Sequence, residues 1–130
     1  MTIQYKVDMA LDTDAFIDLL KRSTLAKRRP IADKACIAGM LTNSNLLVSA
    51  WDGGVLVGAA RSVTDFHYAC YLSDLAVAQS HQRQGIGKAL IEHTQAKLRT
   101  GCKLILIAAP AADTYYEPLG FERNLRCWVK

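Results

Sequence analysis

The sequence predicts an α/β (α+β) domain in which helices flank a mixed, mostly antiparallel central sheet. Three observations predict it. Two helical stretches come early, a hairpin signal occupies the middle of the chain, and a strand–helix–strand run follows. A tight turn makes antiparallel neighbours, whereas a helical crossover makes parallel ones, so the sheet must be mixed.

Each element has its own signature. Residues 3–8 alternate weakly through Ile3, Tyr5 and Val7 and read as a first strand. Asp12 or Thr13 can cap a helix whose apolar stripe is Phe16, Leu19 and Leu20. Pro30 stands just before a second helix predicted over about 31–41, with Asn43 near its end. Leu46 to Trp51 is apolar, Asp52-Gly53-Gly54 signals a tight turn, and Val55 to Val63 resumes a strand. Tyr68 to Val77 is another strand, rich in aromatic and branched residues. From Gly85 to Leu98 the pattern is helical, with Ile86, Ala89, Leu90 and Ala96 along one side. Lys103 to Ala108 has the character of a short buried strand. Pro110 opens a short helix, and Phe121 to Val129 reads as a final strand.

Bulk properties narrow the class. The chain has 130 residues, 51% hydrophobic and 22% charged, which predicts one soluble domain over 1–130. No apolar run approaches the roughly 20 residues that span a bilayer. The N-terminal stretch MTIQYKVDMALDTD lacks the basic-then-apolar order of a secretory signal, so a cytoplasmic location and no membrane partner are expected. Cys36, Cys70, Cys102 and Cys127 are widely spaced, with no metal-type spacing. Reduced, buried thiols and no metal site are expected.

The net charge of +4 suits an anionic small ligand and would also suit nucleic acid. The dense basic run, Lys27-Arg28-Arg29, reads as cations at a helix end. No aromatic residues interleave with it, so nucleic acid is not an expected partner.

The most informative segment is residues 72–90, LSDLAVAQSHQRQGIGKAL. A strand ends near Val77, a polar loop follows, and two glycines open an amphipathic helix. Unpaired amides and the macrodipole make such a helix start attractive to anions, and glycine lets backbone approach a phosphate closely. Arg83 and Lys88 add charge at the same end. A P-loop is excluded, because Gln82 stands at its first glycine and Ala89 at its hydroxyl. A Rossmann turn is excluded by Leu90 at its third small position and by the absence of an acidic residue about 20 positions on.

Gln82-Arg83-Gln84-Gly85-Ile86-Gly87 matches the [Q/R]-x-x-G-x-[G/A] turn of the GNAT acetyltransferase superfamily. Asp74-Leu75-Ala76-Val77 upstream and Tyr115-Tyr116-Glu117-Pro118-Leu119-Gly120-Phe121 downstream resemble that superfamily's fourth strand and its "FYEKLGF" segment, in the same order. The resemblance runs from about Val55 to Phe121. Residues 1–50 match only in the order of their elements.

The resemblance implies a sheet splayed between the fourth and fifth strands, with acetyl-CoA as the acetyl donor in the gap. Leu75, Ala76 and Val77 would meet the pantetheine arm, and a backbone N–H near Leu75 would polarise the thioester carbonyl. The pyrophosphate would rest on Gln82, Arg83, Gln84, Gly85, Ile86, Gly87, Lys88 and Ala89. An amine would attack the thioester directly, so no cysteine is needed as a nucleophile. Tyr116 occupies the place of the family's proton donor to the departing thiolate. A phenol near pKa ~10 giving its proton to a thiolate near ~8.5 goes uphill by about 2 kcal/mol, a gap that the helix environment could narrow. Read without the family, Tyr116 is an amphipathic core residue clustered with Tyr115 and Phe121.

The acceptor ammonium, near pKa ~10.4, is neutral about once in 2,500 molecules at pH 7, so a base or water chain must take its proton. Candidates around the fourth strand are Asp65, His67, Tyr71, Ser73 and Asp74. Period-two alternation puts Tyr71 and Ser73 on one face and Asp74 on the other unless a bulge intervenes. Asp74 is thus a catalytic candidate, and Asp65, His67, Tyr71 and Ser73 are candidate substrate contacts. His81 and His93 read as loop and helix-face residues. The family's pantetheine-binding Asn is replaced by Ala109, ahead of Pro110, which leaves that contact to backbone.

The stretch from Gly58 to Asp65, with Tyr71 to Asp74, resembles members acting on small amines such as serotonin-type acetyltransferases, and the acidic residue before Leu75 is shared with hexosamine-phosphate acetyltransferases. A small-molecule primary amine is therefore the expected acceptor. Alternatives are a peptide or protein amine, and a non-catalytic acyl-CoA-binding module. Arg61 could hold an anionic substrate group or be a solvated edge charge. Homodimers are common in the family, and no residue here requires one.

Overall fold

A computed structural model describes residues 2–130. The strands are β1 (Ile3–Val7), β2 (Leu46–Asp52), β3 (Val55–Thr64), β4 (Ala69–Val77) and β5 (Lys103–Ile105), and the helices are α1 (Thr13–Ser23), α2 (Lys34–Asn43) and α3 (Ile86–Gln95). The strands lie in sequence order across one sheet. The first four pair antiparallel, and β5 joins β4 parallel after the α3 crossover.

Local chemistry sets most boundaries. Asp12 caps α1, its Oδ2 accepting from the Ala15 amide at 3.1 Å. Asp33 caps α2 through the Cys36 amide at 3.0 Å. The second helix therefore starts at Lys34 and not near Ile31, because the Asp33 amide closes a turn onto the Pro30 carbonyl first. Gly53, at φ 60°, makes the β2–β3 turn.

The core lies on both sides of β3, which is buried without interruption from Leu56 to Ser62. Gly58 faces Ile86 and Leu90 of α3. Arg61, of opposite pleat parity, reaches the Met40 carbonyl and Ser44 at the end of α2. The α1–α2 pair and α3 thus cover opposite faces. Phe16, Leu19, Leu20 and Ile37 fill one layer, and Ile86, Leu90 and Ile91 fill the other.

A Cβ at Gly58 would lie 3.1 Å from Leu90 Cδ1, 3.2 Å from Ile86 Cγ2 and 3.3 Å from Ala50 Cβ. We expect G58A to cost about 1–3 kcal/mol in urea unfolding, as overpacked cores do. G54A, whose Cβ meets nothing within 4 Å, serves as the comparison.

Three expectations are corrected. Residues 121–129 form no strand; a bidentate Arg123–Asp113 ion pair ties down their start, while Leu125, Trp128 and Val129 stand exposed. No strand edge among the described residues receives them. The 103–108 run is not a buried strand, because only Lys103–Ile105 pairs, and Ile105 at the sheet's edge is 46% exposed. Pro110 opens a single 3₁₀ turn, Pro110–Ala112. The four cysteines are free thiols, with Cys70 buried, whereas Cys36 and Cys127 are exposed against expectation. Among the described residues no helix is long and apolar enough to cross a membrane.

Candidate active site

The β4–β5 ladder ends at the Tyr71–Ile105 pair. Beyond it the chain diverges, leaving the outer edge of β4 without a strand from Leu72 to Val77. A cleft of about 320 Å³ opens there. Leu72, Ser73 and Leu75 form its β4 wall, Leu106 to Ala109 form the facing wall, and Arg28, Arg29, Tyr71 and Tyr116 also line it.

A bulge shapes the β4 wall. Asp74 pairs with Arg61 and Leu72 with Ser62, so Ser73 is the extra residue. Asp74 is wholly buried beneath it. Its Oδ1 accepts from Arg29 Nε and its Oδ2 from Arg61 Nε, each at 2.5 Å. Arg61 also donates to Ser73 Oγ at 2.8 Å, and Arg29 to the Ser73 carbonyl at 2.8 Å. One carboxylate thus locks β3, the bulge and the segment after α1 together. Arg61 is buried in this network and is not a solvated edge charge.

The other end of β4 runs into the glycine turn. Gln82 Nε2 donates to the Val77 carbonyl at 3.0 Å, and His81 bridges Asp52 Oδ2 at 2.8 Å and Ser80 Oγ at 2.7 Å. Arg83 sits at φ 63° and Gly85 at φ 82°. A non-glycine residue there costs of order 1–3 kcal/mol, strain of the kind stored at functional sites. No side chain caps α3 at Gly85, and Ala89 is where the chain's own bonding begins, its amide reaching the Gly85 carbonyl at 3.0 Å. The amides from Arg83 to Lys88 make no backbone hydrogen bond to a described residue, the arrangement that lets a helix start accept an anion.

The family model for the acetyltransferase (GNAT) domain matches residues 21–126. The chain belongs to the GNAT acetyltransferase family. Solved structures share the fold along nearly the whole chain. A GNAT acetyltransferase from Streptococcus pneumoniae superposes with TM-score 0.77 at 23% identity, covering 99% of this chain and 98% of its own. An acetyltransferase from Trypanosoma brucei gives 0.69 at 26%, covering 99% of both. The aminoglycoside N-acetyltransferase AAC(6')-Iy, solved in complex with CoA, gives 0.75 at 19%, covering 99% of this chain and 93% of its own.

This GNAT domain is an acyltransferase, and its acetyl donor is acetyl-CoA. The turn fits the donor's diphosphate. Gly87 packs against the Tyr115 hydroxyl, where a Cβ would come within 2.5 Å of Tyr115 Oη, so a side chain here would displace that tyrosine. Gln82 and Ala89 differ from the other turn residues, because their amides already bond the Gln79 and Gly85 carbonyls.

Tyr116 lines the cleft opposite β4. It meets Tyr115 and Phe121 edge-on, with centroids 5.2 and 5.5 Å away. The aromatic cluster expected from sequence is therefore present, and it packs Tyr116 into the wall of the cleft. Burial, and secondarily Tyr115, push the Tyr116 phenol above its ordinary pKa of 10. The local environment is a 3₁₀ turn, Glu117–Leu119, and it widens the gap to a thiolate where the sequence suggested narrowing.

The structure gathers Tyr71, Ser73, Leu75 and Tyr116 around the cleft, but not Asp65 or His67. Those two lie in the β3–β4 turn, before the paired end of β4. Asp65 Oδ1 accepts the amides of His67, Tyr68 and Ala69, which lower its pKa to about 2 and make it a turn-former. Arg28 and Arg29 also line the cleft, which sequence reasoning did not anticipate. Their sequence signal, a basic run before Pro30, was present but looks the same as an ordinary helix end.

Proposed function

We propose that this chain transfers an acetyl group from acetyl-CoA to a small primary amine by direct attack within a ternary complex. The observation that carries the reading is the shared cleft. The unpaired β4 edge at Leu75 and Tyr116 line one gap, and the same strand runs on to the glycine turn.

Bound acetyl-CoA supplies the acetyl group as a thioester. The backbones of Leu75, Ala76 and Val77 take the pantetheine arm as an added strand, and the amides from Arg83 to Lys88 hold the diphosphate. The Leu75 amide donates to the thioester carbonyl oxygen, and such a donor is worth about 2.7–4 kcal/mol where one has been removed in other enzymes. The amine nitrogen forms its bond to the carbonyl carbon as the carbon–sulfur bond breaks. Tyr116 Oη gives its proton to the sulfur and recovers one, through water, from the nitrogen.

Asp74 serves this reaction as a positioning residue, since both its oxygens are engaged by guanidinium groups. Among the described residues no carboxylate or imidazole lines the cleft, so solvent takes the first proton of the ammonium. A homodimer in the cytoplasm is the proposed setting, supported by the exposed apolar tail Leu125, Trp128 and Val129.

Thiol release from acetyl-CoA with a panel of small amines and amine-bearing peptides tests the reading. We expect release that depends on a small amine. Release with peptides only would make the chain a peptide acetyltransferase. Stabilisation by acetyl-CoA with no release would make it a binding module.

A further inference from the structure

Resting on that reading, we infer that the acceptor amine carries an anionic group, a carboxylate or a phosphate ester, which binds Arg28. Two guanidinium groups and no acidic side chain line the cleft. The nearest carboxylate, Asp74, is buried behind the wall and answered by Arg29 and Arg61 together. Three cations against one anion leave the acceptor's surroundings strongly positive. A polycationic acceptor would enter against that charge, and an anionic one would be drawn in.

The two arginines differ in what they can still do. Arg29 is spent on the protein: Nε donates to Asp74, Nη2 to the Ser73 carbonyl at 2.8 Å, and Nη1 to the Arg28 carbonyl at 2.9 Å. That last bond holds the Arg28 backbone at the cleft. Arg28 ends the 3₁₀ turn Leu25–Arg28, and its own exposed guanidinium makes no hydrogen bond to a described residue. A guanidinium fork matches carboxylate or phosphate oxygens two at a time.

Arg28 is also badly placed for the donor's diphosphate. Arg29 meets β4 at Ser73, whereas the phosphate turn begins past Val77, about 13 Å further along the strand at ~3.3 Å per residue. The two positive regions therefore serve two different anions.

The test is calorimetric titration of CoA-saturated protein, which reads acceptor binding whether or not turnover occurs. The probes are γ-aminobutyrate, n-butylamine and putrescine on one carbon chain, and O-phosphoethanolamine against ethanolamine. We expect γ-aminobutyrate or O-phosphoethanolamine to bind about tenfold or more tighter than its counterpart lacking the anionic group, with putrescine weakest. The tighter of the two names the anion as carboxylate or phosphate. R28E should abolish that preference, and R28K should restore part of it. Equal or tighter binding of n-butylamine, ethanolamine or putrescine, or a preference unchanged in R28E, overturns the inference. Thiol release measured alongside judges catalysis separately, so loss of turnover with anion-selective binding intact would count against the proposed reaction alone.

Discussion

Asp74→Ala is expected to cost about 3–5 kcal/mol, the usual penalty for removing one partner of a buried ion pair. Asp74 is wholly buried, and its partners Arg61 and Arg29 have side chains only 7% and 21% exposed. Their desolvation would remain while the compensating charge is gone. Domains of this kind are stable by only about 5–15 kcal/mol, so D74A should sit near the edge of folding. Urea unfolding followed by circular dichroism measures it, and a loss below about 1 kcal/mol would refute the structural account. D74N keeps the shape and separates this account from a catalytic one. A general base contributes about 10²–10⁴-fold, so a folded D74N enzyme slowed that much, with a pH profile missing its acidic limb, would restore Asp74 as the proton acceptor. We expect a folded D74N enzyme to lose much less and to keep its pH profile.

Tyr116→Phe is expected to lower kcat by about 100-fold or more while acetyl-CoA binding is unchanged. Phenylalanine preserves the edge-on contacts with Tyr115 and Phe121, so the loss reports the hydroxyl alone. The pH dependence follows from the same group. A proton donor works only while protonated, and burial holds the Tyr116 phenol above 10. The wild-type rate should therefore not decline from Tyr116 ionisation until the pH passes above 10. Steady-state kinetics and binding titrations on the two proteins check both statements, and a Y116F rate within a few-fold of wild type would remove Tyr116 from the chemistry.

The parts of the site legible in the sequence are those whose geometry is settled within a few residues. The turn Gln82–Gly87 is such a case, because glycine at positive φ and a helix start need nothing from elsewhere. Tyr116 was legible through its neighbours Glu117 to Phe121, which form the short turn that presents it. Asp65 and His67 lie apart from the cleft, and their placement was not legible because a turn carboxylate that caps its own following amides has the same composition as a substrate contact. The bulge at Ser73 could be anticipated but not located, since it depends on the register against β3.

By itself, the sequence determined the family, the donor, the start of the first helix at Asp12–Thr13, the hairpin at Gly53 and the glycine turn, whereas the cap Asp33 was not anticipated. All of these rest on hydrogen bonds or backbone angles spanning a handful of positions. Only the tertiary structure decided that Asp74 lies between Arg29, 45 residues away, and Arg61, 13 away. It alone ended the β4–β5 ladder at Tyr71, left residues 121–129 without a strand edge, and set Arg28 at the cleft. The reason is physical: the partner of a buried charge and the end of a ladder are chosen by packing between distant segments, and no local pattern carries that information.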